Sequence, residues 1–135
     1  MRKLWLLILV AMLTLFLGLA GGCLGYQDAA ITPSLAYTLI QENESNADFV
    51  ILDIRTPDEY ANEHIAESVL LDFYADDFED ELNKLDKSKT FLVYCRSGNR
   101  SNKAVNIMRD LGFIEVSDIG GGINQWKAEG YPTVK

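Results

Sequence analysis

Apolar residues follow two different periodicities along residues 31–135. Short continuous apolar runs are typical of strands covered on both faces, whereas apolar residues three and four positions apart form one face of a helix. We predict strands at 48–54, 68–73, 90–95 and 114–119, and helices within 32–43, 56–65, 76–85, 101–112 and 121–130. Strands that alternate with helices predict a three-layer α/β fold, with a parallel sheet that carries helices on both faces.

Two of the predicted helices begin with recognisable capping residues. Thr32 followed by Pro33 is typical of a helix N-terminus, because the hydroxyl can accept an N–H of the first turn and proline suits the first helical position. Thr56, Pro57 and Glu59 have the spacing of a capping box. We expect the inward faces of the helices to comprise Leu35, Leu39 and Ile40 in the first, Phe78, Leu82 and Leu85 in the third, Ala104, Val105, Met108 and Leu111 in the fourth, and Trp126 in the last.

The beginning of the chain follows neither the strand nor the helix periodicity. Arg2 and Lys3 precede an uncharged, leucine-rich stretch that ends in small residues, which is typical of a secretory signal. The apolar stretch 4–19 is longer than many signal cores and shorter than most membrane spans, so this segment is either a cleaved signal peptide or a retained anchor. Both alternatives place the rest of the chain outside the cytoplasm, because the basic residues should remain inside.

The end of this segment, LAGGC, resembles a bacterial or archaeal lipoprotein signal. In such signals the cysteine becomes the lipidated first residue of the mature chain. The segment has one glycine more than the usual Leu-Ala-Gly-Cys, so that Ala20 stands where a leucine is more common. The resemblance implies lipidation of Cys23 and attachment to a membrane on its periplasmic or outer cell-surface side. We predict a signal peptide or membrane anchor at 1–22, a tether at 23–30 and one domain at 31–135.

The charge of the chain argues against some partners. Arg2 and Lys3 are two of the twelve basic residues, so the chain beyond Gly22 carries ten basic against twenty acidic residues, a formal net charge of −10. A surface this acidic argues against binding to nucleic acid and against electrostatic adhesion to anionic lipid. The acidic run from Asp76 to Glu81 is interpreted as a solvated helix face rather than a metal site.

The candidate chemistry lies in the segment FLVYCRSGNRS, where a cysteine ends an apolar strand and a helix is predicted to begin at about Ser101. Binding sites of parallel sheets form beyond the carboxyl ends of the strands. A tight loop into a helix N-terminus turns N–H groups inward, which should favour the thiolate form of Cys95. Gly98 permits a backbone shape that a side chain would hinder, and Arg96 and Arg100 add positive charge suited to an oxyanion such as a sulfonate.

Two simpler interpretations of Cys95 compete with a reactive role. An inert buried cysteine at a strand end is common, but two arginines within five residues argue against it. A disulfide with Cys23 is the second alternative, and a lipidated Cys23 would have no thiol to offer. A free cysteine in an oxidising compartment favours reactivity.

Three segments of the chain together resemble the rhodanese family of sulfurtransferases, from about Ile31 to the end and in the order and spacing of that family. The segments are CRSGNRS, whose active-site loop runs from Cys95 to Arg100; LDIRTPDEYANEHI, at Asp53, Arg55, Glu59, Tyr60, His64 and Ile65; and GGGINQWKAEGYP, at Gly120, Gly121, Trp126, Gly130 and Pro132. The resemblance implies a rhodanese-like fold and a single-domain sulfurtransferase.

The resemblance also implies a persulfide cycle. The Cys95 thiolate would take the outer sulfur of thiosulfate or a polysulfide and pass it to cyanide, a thiol or a protein acceptor. Asp53 and Arg55 would pair with each other or with nearby backbone and orient the loop from the adjacent strand. Neither a metal nor an organic cofactor is required. The loop residues implied to bind the sulfur donor are Arg96, Ser97, Gly98, Asn99, Arg100 and Ser101, with the two arginines orienting it.

Other functions compete with sulfur transfer as interpretations of the loop. Cysteine phosphatases and arsenate reductases share the fold but place an arginine six positions after the cysteine, where this chain has Ser101. A non-enzymatic sulfur carrier or sensor that hands the Cys95 persulfide to one protein partner remains open, because it would need the same loop. His64, the single histidine, is interpreted as a structural hydrogen-bonding residue, since a thiolate needs no general base.

Overall fold

The computed structural model describes residues 30–135. The predicted signal or anchor at 1–22, the predicted lipidation site Cys23 and the tether up to residue 29 lie outside the described residues. Between residues 30 and 135, no helix is long and apolar enough to cross a membrane.

Four strands form one parallel sheet in the order β2-β1-β3-β4. The elements of the described chain are α1 (Pro33–Glu42), β1 (Phe49–Asp53), α2 (Pro57–Asn62), β2 (Val69–Leu70), α3 (Phe78–Asn83), β3 (Thr90–Tyr94), α4 (Asn99–Asp110), β4 (Glu115–Asp118) and α5 (Gly122–Ala128). The predicted α/β fold with a parallel sheet is therefore confirmed.

Each face of the sheet has its own apolar core, because successive side chains of the central strands point in opposite directions. On one face, Leu52 and Val93 pack with buried residues of α3 and α4. On the other face, Ile51 and Leu92 pack with buried residues of α1 and α5. Helices cover both faces, as predicted, and Trp126 of α5 is a fully buried member of the second core.

The predicted helix caps are present. The Thr32 hydroxyl accepts a hydrogen bond from the Leu35 N–H at 3.2 Å. In α2 the Glu59 N–H donates to the Thr56 hydroxyl at 3.3 Å, while the Thr56 N–H donates to Glu59 Oε2 at 3.1 Å, which completes the capping box. Gly112 follows α4 in the left-handed conformation, at φ 93°.

Some predicted boundaries and one predicted core residue are wrong. The strand at 68–73 is confined to Val69–Leu70. It lies at the edge of the sheet, where strands are often short, and the Val69 side chain is 55% exposed. The helix at 76–85 shortens to Phe78–Asn83, and α4 begins two residues before Ser101. Leu35 is 47% exposed, because α1 packs on the core through Ala36, with Tyr37 and Ile40 partly buried beside it.

Candidate active site

Cys95 directly follows β3 at the carboxyl edge of the sheet and is 1% exposed. It belongs to the core on the α4 face, whereas Tyr94 belongs to the core on the opposite face, as the alternation of a strand predicts. The Tyr94 hydroxyl accepts a hydrogen bond from the Ile65 N–H at 3.1 Å and lies 3.1 Å from Ser68 Oγ. Tyr94 therefore has a packing role, and Cys95 is the residue that β3 delivers to the site.

Two hydrogen-bond donors point at the Cys95 sulfur. The Gly98 N–H lies 3.1 Å from Sγ, and the Ser101 hydroxyl lies 3.3 Å from it. Hydrogen bonds to an ionised acceptor are stronger than those to its neutral form, so both donors favour the thiolate over the thiol. Cys95 is a free cysteine, and no disulfide involves it among the described residues.

Gly98 shapes the loop that carries these donors. It adopts φ 99° and is the N-cap residue of α4, a conformation that side chains disfavour. The first N–H groups of a helix have no partner within the helix, and they carry the positive end of its dipole. The turn at Gly98 therefore brings an electropositive helix end to the Cys95 sulfur, as the sequence predicts.

The other side of the loop is held by the beginning of α5. The Cys95 carbonyl accepts a hydrogen bond from the Ile123 N–H at 2.9 Å, and the Arg96 carbonyl accepts one from the Asn124 N–H at 3.1 Å. A Cβ at Gly122 would lie 2.4 Å from the Cys95 carbonyl oxygen. Gly122 is thus a residue on which the loop position depends, and the sequence reasoning did not single it out. The signal in the sequence was that Gly122 is the third of three consecutive glycines at the start of a predicted helix.

Arg100 is bound to Glu59 of α2. Arg100 Nη1 and Nη2 each donate to one oxygen of the Glu59 carboxylate at 2.8 Å, in a bidentate pair. The Arg100 guanidinium holds the pKa of Glu59 down, to about 2, while burial acts in the opposite direction. The same guanidinium lies over the ring of Tyr74, 5.4 Å from its centroid. The sequence predicts Glu59 only as a cap; the structure also makes it the partner of the loop arginine.

The remaining loop residues differ in their exposure to solvent. Arg96, Ser97 and Asn99 are exposed, and the Ser101 side chain is buried beneath them. Because the charge of Arg100 is already balanced by Glu59, Arg96 is the loop cation whose side chain extends into solvent beside the opening.

Asp53 and Arg55 form the predicted pair. Arg55 Nη2 lies 2.6 Å from Asp53 Oδ2 and also donates to the Glu63 carbonyl at 2.6 Å. Both side chains are buried, and the Arg55 guanidinium lies 5.5 Å from the centroid of the Tyr94 ring. The pair fixes the turn after β1 and reaches the loop through the residue that precedes Cys95, rather than by contact with the sulfur.

Asp118 is a second buried acid near Cys95, and the sequence reasoning missed it. It lies opposite Val93 in the register of β3 and β4 and is 6% exposed. Burial raises the pKa of Asp118 to about 6, and a hydrogen bond from the Ser101 hydroxyl acts in the opposite direction. Its Oδ1 atom has no hydrogen-bond partner. The signal in the sequence was an acidic residue at a position of the predicted strand 114–119 whose side chain points inward.

Among the described residues, no contact links His64 to the Cys95 sulfur. Its Nδ1 lies 3.0 Å from the Tyr60 carbonyl oxygen, and its ring stacks on that of Tyr60 at 3.8 Å between centroids. This agrees with a structural role. Within residues 30–135, no three His, Cys, Asp or Glu side chains are grouped so as to hold a metal ion.

The fold and the loop define an α/β protein with a cysteine between a strand and a helix N-terminus, at the carboxyl edge of a parallel sheet. The family model described as "Rhodanese-like domain" matches residues 32–129. The chain belongs to the rhodanese-like family, as its three motifs indicate.

Several relatives carry sulfurtransferase names. Thiosulfate sulfurtransferase GlpE of Coxiella burnetii is 38% identical over 86 residues, which cover 64% of this chain and 78% of that protein. An uncharacterized protein of Synechocystis is 33% identical over 105 residues, covering 73% of this chain and 53% of that protein, so this chain spans about half the length of that relative. The crystal structure of a rhodanese-related protein from Thermoplasma volcanium matches with a TM-score of 0.67 at 31% identity, over 78% of this chain and 96% of that one.

Proposed function

We propose that the protein is a sulfurtransferase that carries sulfane sulfur as a Cys95 persulfide. The observation that carries the proposal is the pair of donors on Sγ, from the Gly98 N–H at 3.1 Å and the Ser101 hydroxyl at 3.3 Å. Donors placed in this way stabilise an anionic sulfur, and a thiolate is the form of cysteine that attacks another sulfur. The relatives named as thiosulfate sulfurtransferases support the same reaction class.

The first half of the cycle loads the cysteine. The Cys95 thiolate attacks the outer sulfur of thiosulfate, a new S–S bond forms, and the old S–S bond breaks with its electron pair on the departing sulfite. A polysulfide reacts in the same way and leaves as a shortened chain. No general acid is needed at this step, because sulfite is a stable anion. Arg96 at the opening supplies positive charge for the incoming donor, and the N–H groups of the loop hold the terminal sulfur.

The second half of the cycle unloads the sulfur. Cyanide or a thiolate attacks the outer sulfur of the Cys95 persulfide, and the bond between the two sulfurs breaks with its electron pair on Cys95. Thiocyanate or a new persulfide leaves, and the thiolate is restored. The two donors on Sγ stabilise this leaving group, just as they stabilise the attacking form.

The pairing of Arg100 with Glu59 favours sulfur transfer over phosphate or arsenate chemistry. An arginine that binds the equatorial oxygens of a tetrahedral anion needs its bidentate edge free. Here both terminal nitrogens of Arg100 donate to the Glu59 carboxylate at 2.8 Å. A single sulfur atom makes no such demand on the arginine.

The test uses the full-length protein with Cys95→Ser, and with Cys23→Ser as the matched control at the other cysteine. We expect thiosulfate-to-cyanide transfer and a one-sulfur mass gain on the Cys95 peptide in the native protein and in Cys23→Ser. Both signals should be lost in Cys95→Ser. A mass gain without turnover would instead indicate a carrier that needs its own protein acceptor. A folded, reduced sample that gives neither signal with thiosulfate or polysulfide would overturn the proposal.

A further inference from the structure

Arg100 is a cation of the active-site loop to which the persulfide cycle proposed above gives no role. It lies in the first turn of α4 and directly precedes Ser101, whose hydroxyl lies 3.3 Å from the Cys95 sulfur. A guanidinium in such a loop is well suited to bind a tetrahedral oxyanion, because its planar fork matches two oxygens at once. In this protein a side chain of the chain itself already occupies the fork.

The side chain that occupies the fork is Glu59 of α2. Arg100 Nη1 donates to Glu59 Oε2 and Nη2 donates to Oε1, each at 2.8 Å, so both carboxylate oxygens are engaged. Glu59 Oε2 also accepts the N–H and the hydroxyl of Thr56, each at 3.1 Å. The carboxylate is therefore held from the α2 side as well. Since the Arg100 guanidinium holds the pKa of Glu59 down, to about 2, the carboxylate is ionised at neutral pH.

The Tyr74 ring covers one face of the same guanidinium, whose central carbon lies 5.4 Å from the ring centroid. The Arg100 side chain is only 14% exposed, and the Glu59 side chain is 26% exposed. An anion that enters from solvent must therefore displace the Glu59 carboxylate to reach the fork. The exchange gains little, because one charged acceptor replaces another, and it leaves the Glu59 charge partly buried without its partner.

We propose that Glu59 is a specificity-determining residue, which occupies the fork of Arg100 and so disfavours sulfur donors that carry an oxyanion group. The inference rests on the proposed function and names its preferred substrate class, donors with an unbranched sulfur chain such as polysulfides. The end of such a chain is a single sulfur atom, which the loop N–H groups can bind without a guanidinium fork. Thiosulfate brings a sulfonate, for which the loop offers the exposed Arg96 but not the occupied fork of Arg100.

The test measures oxyanion binding beside Cys95 without any sulfur donor. Cys95 of the full-length protein is alkylated with iodoacetamide at increasing sulfate or phosphate, at constant ionic strength, and the rate is read from the mass of the Cys95 peptide. Glu59→Gln removes the charge and keeps the shape of the side chain. Glu59→Asp, which withdraws the carboxylate by one methylene, repeats the test if the glutamine variant does not fold. Arg100→Ala is combined with Glu59→Gln to remove the fork.

Two matched controls separate the freed fork from other effects of losing Glu59. Thr56→Val removes the hydroxyl of the capping box but leaves the Glu59 carboxylate on Arg100, so it reports what a weakened start of α2 does. Glu63→Gln removes one carboxylate at the other end of α2, where the partner is Lys127, so it reports what the change in net charge does.

We expect sulfate to protect Cys95 of Glu59→Gln at a concentration about tenfold lower than in the native protein, because the freed guanidinium gains charge-assisted hydrogen bonds to the anion. The double variant and both controls should behave like the native protein. With sulfur donors, the KM for thiosulfate should fall relative to the KM for tetrasulfide by a similar factor in Glu59→Gln. The ratio of the two KM values should be unchanged in Thr56→Val.

Three results would overturn the inference. Equal protection of the native protein and Glu59→Gln would show that Glu59 does not exclude the anion. Protection that persists in the double variant would show that the anion does not bind to Arg100. An equal gain in Thr56→Val or Glu63→Gln would assign the effect to a loosened helix or to net charge. Because alkylation uses no sulfur donor, each result leaves the sulfur-transfer test of Cys95→Ser to stand or fail separately.

Discussion

Among single residues, Gly122 leaves no room for a side chain beside the backbone of the active-site loop. Its missing side chain lets the first N–H groups of α5 reach the Cys95 and Arg96 carbonyls. Those two bonds fix the direction of both carbonyls. The loop N–H groups can then face the sulfur, where an anion needs them.

Gly122→Ala should damage both stability and sulfur transfer. The new Cβ would lie 2.4 Å from the Cys95 carbonyl oxygen and 2.7 Å from the Arg96 carbonyl oxygen, at a φ of 59°. Because the clash is with backbone, α5 or the loop must shift, and we expect a loss of about 2–3 kcal/mol in the free energy of unfolding. Urea unfolding and thiocyanate formation would measure the two effects.

Gly130→Ala is the matched control for that substitution, at the other end of α5. It also has a positive φ, 85°, but a Cβ there would meet nothing within 4 Å. It should cost only the backbone strain, about 1 kcal/mol, and leave sulfur transfer intact. Equal losses in the two variants would contradict the argument that the loop position depends on the space at Gly122.

The residues that could be predicted from sequence are those whose partners lie nearby in the chain. Cys95, Gly98 and Ser101 fall within seven consecutive positions, so the strand end, the turn and the helix start could be placed together. Asp118 and Gly122 belong to a different segment, at the end of β4 and the start of α5. Their contacts depend on the register of β4 against β3 and on how α5 packs, which local patterns do not determine.

At the level of elements, the Glu59 carboxylate joins two helices. It accepts the Thr56 N–H at the start of α2 and both terminal nitrogens of Arg100 at the start of α4. One carboxylate thus caps α2 and ties it to the active-site loop. The local half of this arrangement, the capping box, was predictable, whereas the ion pair spans 41 positions and was not. The predicted strand 68–73 is too long for a related reason. The end of the edge strand β2, observed at Val69–Leu70, depends on its packing in the folded chain.

Glu59→Gln should destabilise the protein in a pH-dependent way. Arg100 lowers the pKa of Glu59 to about 2 from its ordinary value of 4.5. The stabilisation from a lowered carboxyl pKa is complete above the unfolded value and is lost as the pH falls toward the folded value. We therefore expect the variant to be about 1–2 kcal/mol less stable at neutral pH, allowing for partial exposure. This difference should shrink between about pH 4.5 and about pH 2 in denaturant titrations.

Glu63→Gln provides the control for the loss of one charged partner elsewhere. Glu63 pairs with Lys127 of α5, and the lysine side chain is exposed. Its removal should cost less than that of Glu59, because exposed pairs are screened by water and salt. Equal effects of the two substitutions on stability and on sulfur transfer would contradict this argument. The effect of Glu59→Gln would then not come from the link between α2 and the loop.

For the whole molecule, the described chain begins beside the active site. Ile31 pairs with Ile119 just beyond β4, and its N–H donates to the Asp118 carbonyl at 2.8 Å. The chain therefore enters the domain at the carboxyl edge of the sheet, the edge that also carries Cys95. Ala30 lies seven positions after Cys23, and an extended chain over that many positions spans at most about 25 Å. Attachment at Cys23 would hold the sulfur site close to the membrane surface.

Fractionation of bacterial cells that express the full-length protein tests this placement. We expect the protein in the membrane fraction and open to protease added from outside the inner membrane, because Arg2 and Lys3 should keep the start of the chain in the cytoplasm. Cys23→Ser distinguishes the two alternatives for attachment. Release into the soluble extracytoplasmic fraction would indicate that a lipid on Cys23 holds the protein, and retention would indicate an uncleaved anchor. Native protein found in the cytoplasm would contradict both, and would place the Cys95 persulfide among cytoplasmic thiol acceptors instead.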